Sequence, residues 1–172
     1  MSSLNTMKKV HLYETRHSLP QSARISSIEV LNEALATCLD IYTQTKQAHW
    51  NVKGKDFYQL HLLFDDVAST LFDPIDLIAE RITALGGIAL GTVRDAAANS
   101  AIPAYPDTEK MVELDHLIAI ADRLGIFSKQ LLEALDKTDS WDDQDSNDII
   151  TQISREVDKK LWFVEAHMPK HV

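Results

Sequence analysis

The chain has 172 residues, 45% of them hydrophobic, and a formal net charge of −9 at pH 7. This length suffices for one buried core, and no apolar run approaches the roughly 20 residues of a membrane-spanning helix. The acidic charge weighs against a surface that broadly attracts nucleic acid or anionic membranes, and the single cysteine, Cys38, excludes a disulfide within the chain.

Residues 1–25 show no hydrophobic periodicity and are predicted to form an N-terminal tail that is mobile or lies along the surface. They lack the apolar stretch of a signal peptide, so we expect a cytoplasmic protein. Four basic residues stand in this tail against one acid, Glu14. Contacts with about three or four phosphates would bind DNA weakly unless many tails act together. DNA binding therefore stays open as an alternative.

The sequence Ser26-Ser27-Ile28-Glu29 has the form of a capping box and predicts the start of a first helix. Its apolar stripe recurs in steps of three and four, and His49 continues the same steps at the C-terminal end. A histidine in that place is more often a hydrogen-bonded core residue than a ligand. A ligand role is favoured here because His61 and an acid follow across a short turn, for which Gly54 is the natural residue. Lys46 is predicted to be solvated or paired across an interface.

The second helix is predicted from Phe57 to about Leu85 and has two distinct faces. The core stripe contains Leu60, Leu63, Phe64, Val67, Leu71, Ile75, Ile78, Ile82 and Leu85. A second face, roughly 130° around the helix, carries His61, Asp65, Phe72, Asp76 and Glu80. Within it, two pairs spaced i,i+4 project side by side. Pro74 lies in the middle of this helix and predicts a kink there.

Imidazole and carboxylate together form a ligand set for a transition metal such as iron, and the same ligands bind zinc. Asp65 and Asp76 stand about 16 Å apart along the helix axis, too far for one ion. Two such helices that cross antiparallel near Thr70 about a twofold axis would bring His61 and Asp65 of one chain to Asp76 and Glu80 of the other. The alternative is an ordinary solvated face with i,i+4 pairs.

The rest of the chain predicts two more long helices. Gly86 and Gly87 end the second helix, and residues 88–106 form a long crossover with a short helix at Val93–Asn99. The third helix is predicted from an N-cap at Asp107 to about residue 136. Asp115 and His116 could bind metal but are predicted to lie on a solvated face. The residues predicted to face inward are Leu114, Leu117, Ile118, Ala121, Leu124, Leu131 and Leu135. An acidic link, 136–148, separates this helix from a last helix at about 145–167.

This pattern predicts an all-α protein, a four-helix bundle with a short extra helix in the long crossover between helices 2 and 3. We place the domain at residues 26–168, between the N-terminal tail at 1–25 and a short C-terminal tail at 169–172. If several chains enclosed a cavity, the carboxylates of the acidic link could form a ring that concentrates cations at an entry route.

The segment KQAHWNVKG, then LH, FDD and the D-x-x-x-E within IDLIAERITALGG, resemble the Dps family of ferritin-like miniferritins. The similarity runs from LYETR to WFVEAHM. It implies a hollow dodecamer that oxidises Fe²⁺ to Fe³⁺ at dimer interfaces, with hydrogen peroxide preferred over oxygen. By this resemblance His49, His61 and Asp65 come from one subunit and Asp76 and Glu80 from the other, with Trp50 packed nearby.

The function expected from the residues and the resemblance together is a ferroxidase and iron store that protects against oxidative stress. Three alternatives stay open: a DNA-compacting particle, a helical scaffold whose acids are only surface groups, and a site occupied by zinc with poor oxidase activity.

Overall fold

The computed structural model of the chain describes residues 11–169, and every regular element in this part is helical. The elements are α1 (Gln21–Asn51), α2 (Phe57–Ala84), α3 (Val93–Asn99), α4 (Glu113–Ser140) and α5 (Gln144–Glu165). A short 3-10 turn, Thr108–Lys110, precedes α4. The all-α prediction is confirmed, as is the short helix in the crossover. None of the helices in residues 11–169 is long and apolar enough to cross a membrane.

Four long helices form the bundle around one core. α1 packs mainly against α2 and α4 against α5, and further contacts join α1 to α4 and α2 to α5, while α3 lies against α1. The largest fully buried side chains include Leu31, Leu35 and Ile41 of α1, Phe64 and Leu71 of α2, and Phe127 of α4. Each such side chain contributes about 1.5–3 kcal/mol through burial. The stripe predicted for α2 is buried along its length, with Ile75 the one half-buried member.

The start of α1 differs from the prediction, because the helix begins at Gln21 and no capping box forms at Ser26. Pro20 occupies the N-cap position with φ −54°, a value suited to the entry of a helix. The buried Arg24 guanidinium donates hydrogen bonds to the carbonyl oxygens of Leu19 and Leu85, at 3.3 and 2.9 Å. These contacts tie the first turn to the end of α2 and lengthen the helix. The predicted tail at 1–25 is therefore too long at its C-terminal end, and its residues 1–10 lie outside the described part, as do 170–172.

The segment before α1 is anchored at the glycine that follows α2. The Tyr13 amide donates to the Gly86 carbonyl at 2.8 Å. Gly86 has φ +88°, and a Cβ there would lie 2.8 Å from the Tyr13 carbonyl oxygen. Both the backbone conformation and the close approach require glycine at this position.

Pro74 does not interrupt α2, which runs from Phe57 to Ala84. Leu71 and Ile78, on either side of the proline, are both buried in the core and hold the helix against the bundle. The Cys38 thiol donates to the Leu71 carbonyl at 3.5 Å, close to the place where proline removes an amide donor.

The predicted boundaries around α4 need two corrections. Asp107 caps the 3-10 turn by accepting a hydrogen bond from the Glu109 amide, and α4 itself begins six residues later at Glu113. Most of the predicted acidic link is helical, because α4 continues to Ser140 and only residues 141–143 separate it from α5. The buried Thr138 hydroxyl and the Asn147 amide stabilise this tight turn by bonding to α4 carbonyls.

The inward face of α4 also differs from the prediction. Leu114 and Ile118 are exposed, whereas His116, predicted to be solvated, is 1% exposed. Its Nδ1 atom lies 2.8 Å from the Tyr105 hydroxyl oxygen, so the crossover residues cover it.

Candidate metal centre

Two histidines at the junction of α1 and α2 hold each other in place. The Nδ1 atom of His49 lies 2.8 Å from the carbonyl oxygen of His61, and Nδ1 of His61 lies 2.9 Å from the carbonyl oxygen of His49. The two rings stack with centroids 3.8 Å apart and planes 21° from parallel. These reciprocal contacts, which we call the clasp between His49 and His61, hold the end of α1 against the start of α2.

These contacts determine the tautomer of both rings. A carbonyl oxygen can only accept, so each Nδ1 must carry its proton. In the neutral ring Nε2 then has a free lone pair, which is the arrangement of a metal-ligating histidine whose other nitrogen is bonded to a backbone carbonyl. His49 and His61 are thus prepared to offer two nitrogen ligands.

The turn between α1 and α2 is held in place by α4. Gly54 adopts φ +145°, and a Cβ added to it would lie 2.3 Å from the Glu113 carboxyl group. That carboxylate accepts a hydrogen bond from the Asp56 amide at 2.6 Å. Glu113, at the first position of α4, therefore holds the turn that sets the spacing of His49 and His61.

Asp65 lies one helical turn beyond His61, and its Oδ1 atom is 3.9 Å from Nε2 of His49. Two ligands bonded at 2.0–2.3 Å to one cation can be as far apart as about 4.4 Å, so these atoms can share an ion. The same Oδ1 lies 2.6 Å from the Lys46 ammonium group. This hydrogen bond is the main cause that lowers the pKa of Asp65; burial opposes it, and the positive charge of Lys46 adds to the lowering. The carboxylate is therefore ionised and ready to bind a cation.

The contact between Lys46 and Asp65 lies within one chain and corrects the prediction that Lys46 is solvated or paired across an interface. Lys46 and His49 are three residues apart on α1 and share a face. That spacing was the signal in the sequence that could have placed a cation beside the candidate ligands.

The other two predicted ligands lie elsewhere on the chain. Asp76 and Glu80 are exposed on α2, beyond the reach of His49, His61 and Asp65 by the axial separation of about 16 Å. Within residues 11–169 the structure brings together no three His, Cys, Asp or Glu side chains that could hold a metal ion. The predicted ligands thus lie in two separate halves, His49, His61 and Asp65 in one and Asp76 and Glu80 in the other, and neither half forms such a cluster.

Between these halves α2 carries an apolar residue that faces outward. Phe72 is 62% exposed, and its ring centroid lies 6.1 Å from that of Tyr42 with the planes tilted by 54°. Next to the other half, Trp50 is 68% exposed, and the Lys46 ammonium lies 5.9 Å from the centre of its ring. Large exposed aromatic groups of this kind are typical of surfaces that are covered in an assembly.

A groove of about 550 Å³ lies between α1 and the crossover. Trp50, Lys46, Tyr42 and Tyr105 line it together with neighbouring α1 residues. Tyr105 and its partner His116 were not predicted as functional, because their contact joins the crossover to α4 and has no local sequence signal.

Comparisons with known proteins agree with one another. The family model described as a ferritin-like domain matches residues 28–170. The DNA protection during starvation protein of Agrobacterium fabrum is 40% identical over 156 residues, which cover 91% of this chain and 96% of that protein. DNA protection during starvation protein 2 of Bacillus anthracis is 33% identical over 144 residues, 82% of this chain and 95% of that one. Among solved structures, DpsC from Streptomyces coelicolor superposes with a TM-score of 0.88 at 28% identity, covering 97% of this chain and 98% of DpsC.

Proposed function

We propose a function that starts from one premise: the chain belongs to the Dps family of ferritin-like proteins, the family of the DNA protection during starvation proteins. On this basis the protein binds and stores iron as a hollow homo-oligomer, a dodecamer, and oxidises Fe²⁺ with hydrogen peroxide. Iron is the substrate and the cargo. The observation that carries the proposal is the clasped pair His49 and His61, whose Nε2 lone pairs are both free for a cation.

Each site takes His49, His61 and Asp65 from one protomer and Asp76 and Glu80 from a second. The exposed Phe72 supports this pairing, since burial of its ring would stabilise an antiparallel contact between two α2 helices. A contact of this kind near Thr70 forms the same site twice per dimer, because a twofold axis repeats every contact.

The protein groups act by coordination. Neutral imidazoles supply nitrogen ligands, and the carboxylates of Asp65, Asp76 and Glu80 supply negative charge. That charge stabilises Fe³⁺ more than Fe²⁺ and so favours oxidation. Two Fe²⁺ ions that pass two electrons to one peroxide, with two protons, yield two Fe³⁺ and two waters. No hydroxyl radical is released, and storage also protects the cell. Zn²⁺ would compete for the same ligands.

DNA binding remains a prediction to be tested separately. The relatives are named for DNA protection, and a protein that removes iron and peroxide can protect DNA without binding to it. The net charge of −9 per chain would make a cage of such chains repel the phosphates of DNA. A gel-shift titration across salt concentrations measures any contribution of the N-terminal tails.

The decisive experiment tests whether two chains share one site. Asp65→Ala and Glu80→Ala each damage a different half of the ligand set. When the two variants are co-expressed, half of the dimers pair unlike chains by random assortment. In such a dimer one site carries both defects and the other is intact. About a quarter of the sites should therefore oxidise Fe²⁺ after anaerobic loading and addition of peroxide, as followed by ferric absorbance.

The matched control co-expresses Asp65→Ala with His61→Ala, which damage the same half. No unlike pair then contains an intact site, and activity should stay absent. Equal activity in the two mixtures, or none in either despite mixed dimers seen by native mass spectrometry, contradicts a site shared between chains.

A further inference from the structure

Outside the candidate metal centre, the described residues 11–169 contain a hydrogen-bonded pair suited to electron and proton transfer, Tyr105 and His116. The Tyr105 hydroxyl lies 2.8 Å from Nδ1 of His116, and their rings are nearly parallel, at 22°. Burial lowers the pKa of the His116 imidazole, and burial raises the pKa of the Tyr105 phenol. Both groups are thus neutral near pH 7, and the phenol donates to the imidazole in the tautomer of His116 that carries its proton on Nε2.

We propose that Tyr105 and His116 form a proton-coupled electron donor that reduces strong one-electron oxidants, such as hydroxyl radical, that arise beside the iron site. A phenol that loses an electron becomes very acidic and must lose its proton as well. A hydrogen-bonded imidazole accepts that proton in the same step, which is the proton-shuttle role of histidine.

The chain has four tyrosines, Tyr13, Tyr42, Tyr58 and Tyr105, and all lie in the described part. Tyr105 is the one whose hydroxyl is hydrogen-bonded to an imidazole. Tyr13 and Tyr58 are more than half exposed. The pairing therefore singles out the tyrosine of the crossover.

The position of Tyr105 connects it to the candidate iron site. Tyr105 lines the same groove as Trp50 and Lys46, and Lys46 contacts Asp65. Asp65 lines a second, smaller pocket that shares Lys46 and Tyr42 with this groove, so an oxidant released at Asp65 reaches the Tyr105 ring by passing these two side chains.

Arg123 determines which oxidants can react. Its guanidinium lies 5.3 Å from the Tyr105 ring centre and is held by the carbonyl oxygens of Ala104 and Ala119, at 2.7 and 2.8 Å. A fixed positive charge beside the ring makes removal of an electron harder. Tyr105 therefore resists peroxide itself and reacts with one-electron oxidants of high potential.

The chemistry balances with iron as the source of electrons. One Fe²⁺ that passes a single electron to peroxide gives hydroxide and hydroxyl radical. The radical takes one electron from Tyr105 and becomes hydroxide, while the phenol proton moves to His116. A second Fe²⁺ returns the electron to the tyrosyl radical, and His116 returns the proton, which leaves Fe³⁺ and the original pair. This cycle depends on the proposed function, whereas the donor pair itself does not.

The first test therefore uses iron-free assembled protein. A flash on ruthenium tris-bipyridine with persulfate generates a one-electron oxidant, and electron paramagnetic resonance detects the tyrosyl radical. Wild type should give a persistent tyrosyl signal that Tyr105→Phe abolishes and Tyr58→Phe, the matched control, leaves unchanged. His116→Gln should shorten the lifetime of the radical at least severalfold. A wild-type signal that survives Tyr105→Phe overturns the proposal, and this variant keeps the test decisive if His116→Gln fails to fold.

A second test replaces the flash with Fe²⁺ and peroxide. The same Tyr105 radical should appear, and more of it when peroxide exceeds the ratio of one per two Fe²⁺. If the flash yields the Tyr105 radical and iron with peroxide does not, the donor pair stands and its connection to iron oxidation is overturned.

Discussion

The ammonium nitrogen of Lys46 lies 2.6 Å from Oδ1 of Asp65, so the carboxylate that faces His49 is already held by a cation of the same chain. The two side chains are 21% and 47% exposed. A partly solvated ion pair of this kind contributes about 0.2–1 kcal/mol. A metal ion that binds Asp65 must displace Lys46 and overcome that interaction.

We therefore expect Lys46→Met to strengthen metal binding. Loss of the competing ammonium should tighten Zn²⁺ affinity by up to about fivefold, the equivalent of roughly 1 kcal/mol. Calorimetric titration of the assembled protein with Zn²⁺ measures this without any oxidation. Lys53→Met removes the same charge from an exposed position in the α1–α2 turn and serves as the control. An equal gain in both variants would mean that only net charge matters.

The turn between α4 and α5 depends on a buried ion pair with α2. Arg81 donates to Asp143 at 2.6 Å and to the Ser146 hydroxyl at 2.8 Å, and Asp143 is 1% exposed. Arg81→Met leaves a buried carboxylate without its cation and should cost about 3 kcal/mol of unfolding free energy, measured with urea. Lys129→Met, which removes an exposed i,i+4 partner of Glu133, should cost less than about 0.5 kcal/mol. Adding Asp143→Asn to Arg81→Met should recover part of the loss, and purely additive costs would contradict the pairing.

His116 makes stability depend on pH. Burial lowers the pKa of its imidazole below the usual value of about 6.5. Between the lowered folded value and 6.5 the unfolded chain binds the extra proton, so stability is complete above about pH 6.5 and falls as pH falls through this window. The melting temperatures of wild type and His116→Gln should therefore converge as the pH is lowered.

His167→Gln provides the comparison for this experiment, since His167 is exposed near the end of α5 and donates to the Phe163 carbonyl. This variant keeps His116, so its melting temperature should fall with pH in the way that of wild type does. A constant offset between wild type and His116→Gln would show that the His116 imidazole is not the group responsible.

Pro74 removes one backbone hydrogen bond inside α2, and the helix nevertheless continues. Pro74→Ala restores the amide donor and should raise the unfolding free energy by about 1–3 kcal/mol, measured with urea. Pro106→Ala, outside the helices, should bring no such gain. Stability that rises while metal affinity drops would show that the proline sets the direction of Asp76 and Glu80. Unchanged or lower stability would mean that α2 has relaxed around the proline.

The helices themselves followed from local patterns. The stripe from Leu60 to Ile82 and the two glycines after it predicted α2 to within a residue at its end, because burial of one face and the end of a helix are local properties. Helix boundaries failed where distant contacts decided them. Arg24 reaches the end of α2 and starts α1 early, and Thr138 with Asn147 extends α4 into a segment whose aspartates predict a loop.

The sequence by itself determined the bundle and the identity of the candidate ligands, because periodicity and i,i+4 spacing place His61 beside Asp65 on any regular helix. Only the tertiary structure decided how those ligands are prepared. The clasp between His49 and His61, the Lys46 contact to Asp65 and the burial of His116 under Tyr105 each join segments that turns and packing bring together, and no local pattern encodes such contacts.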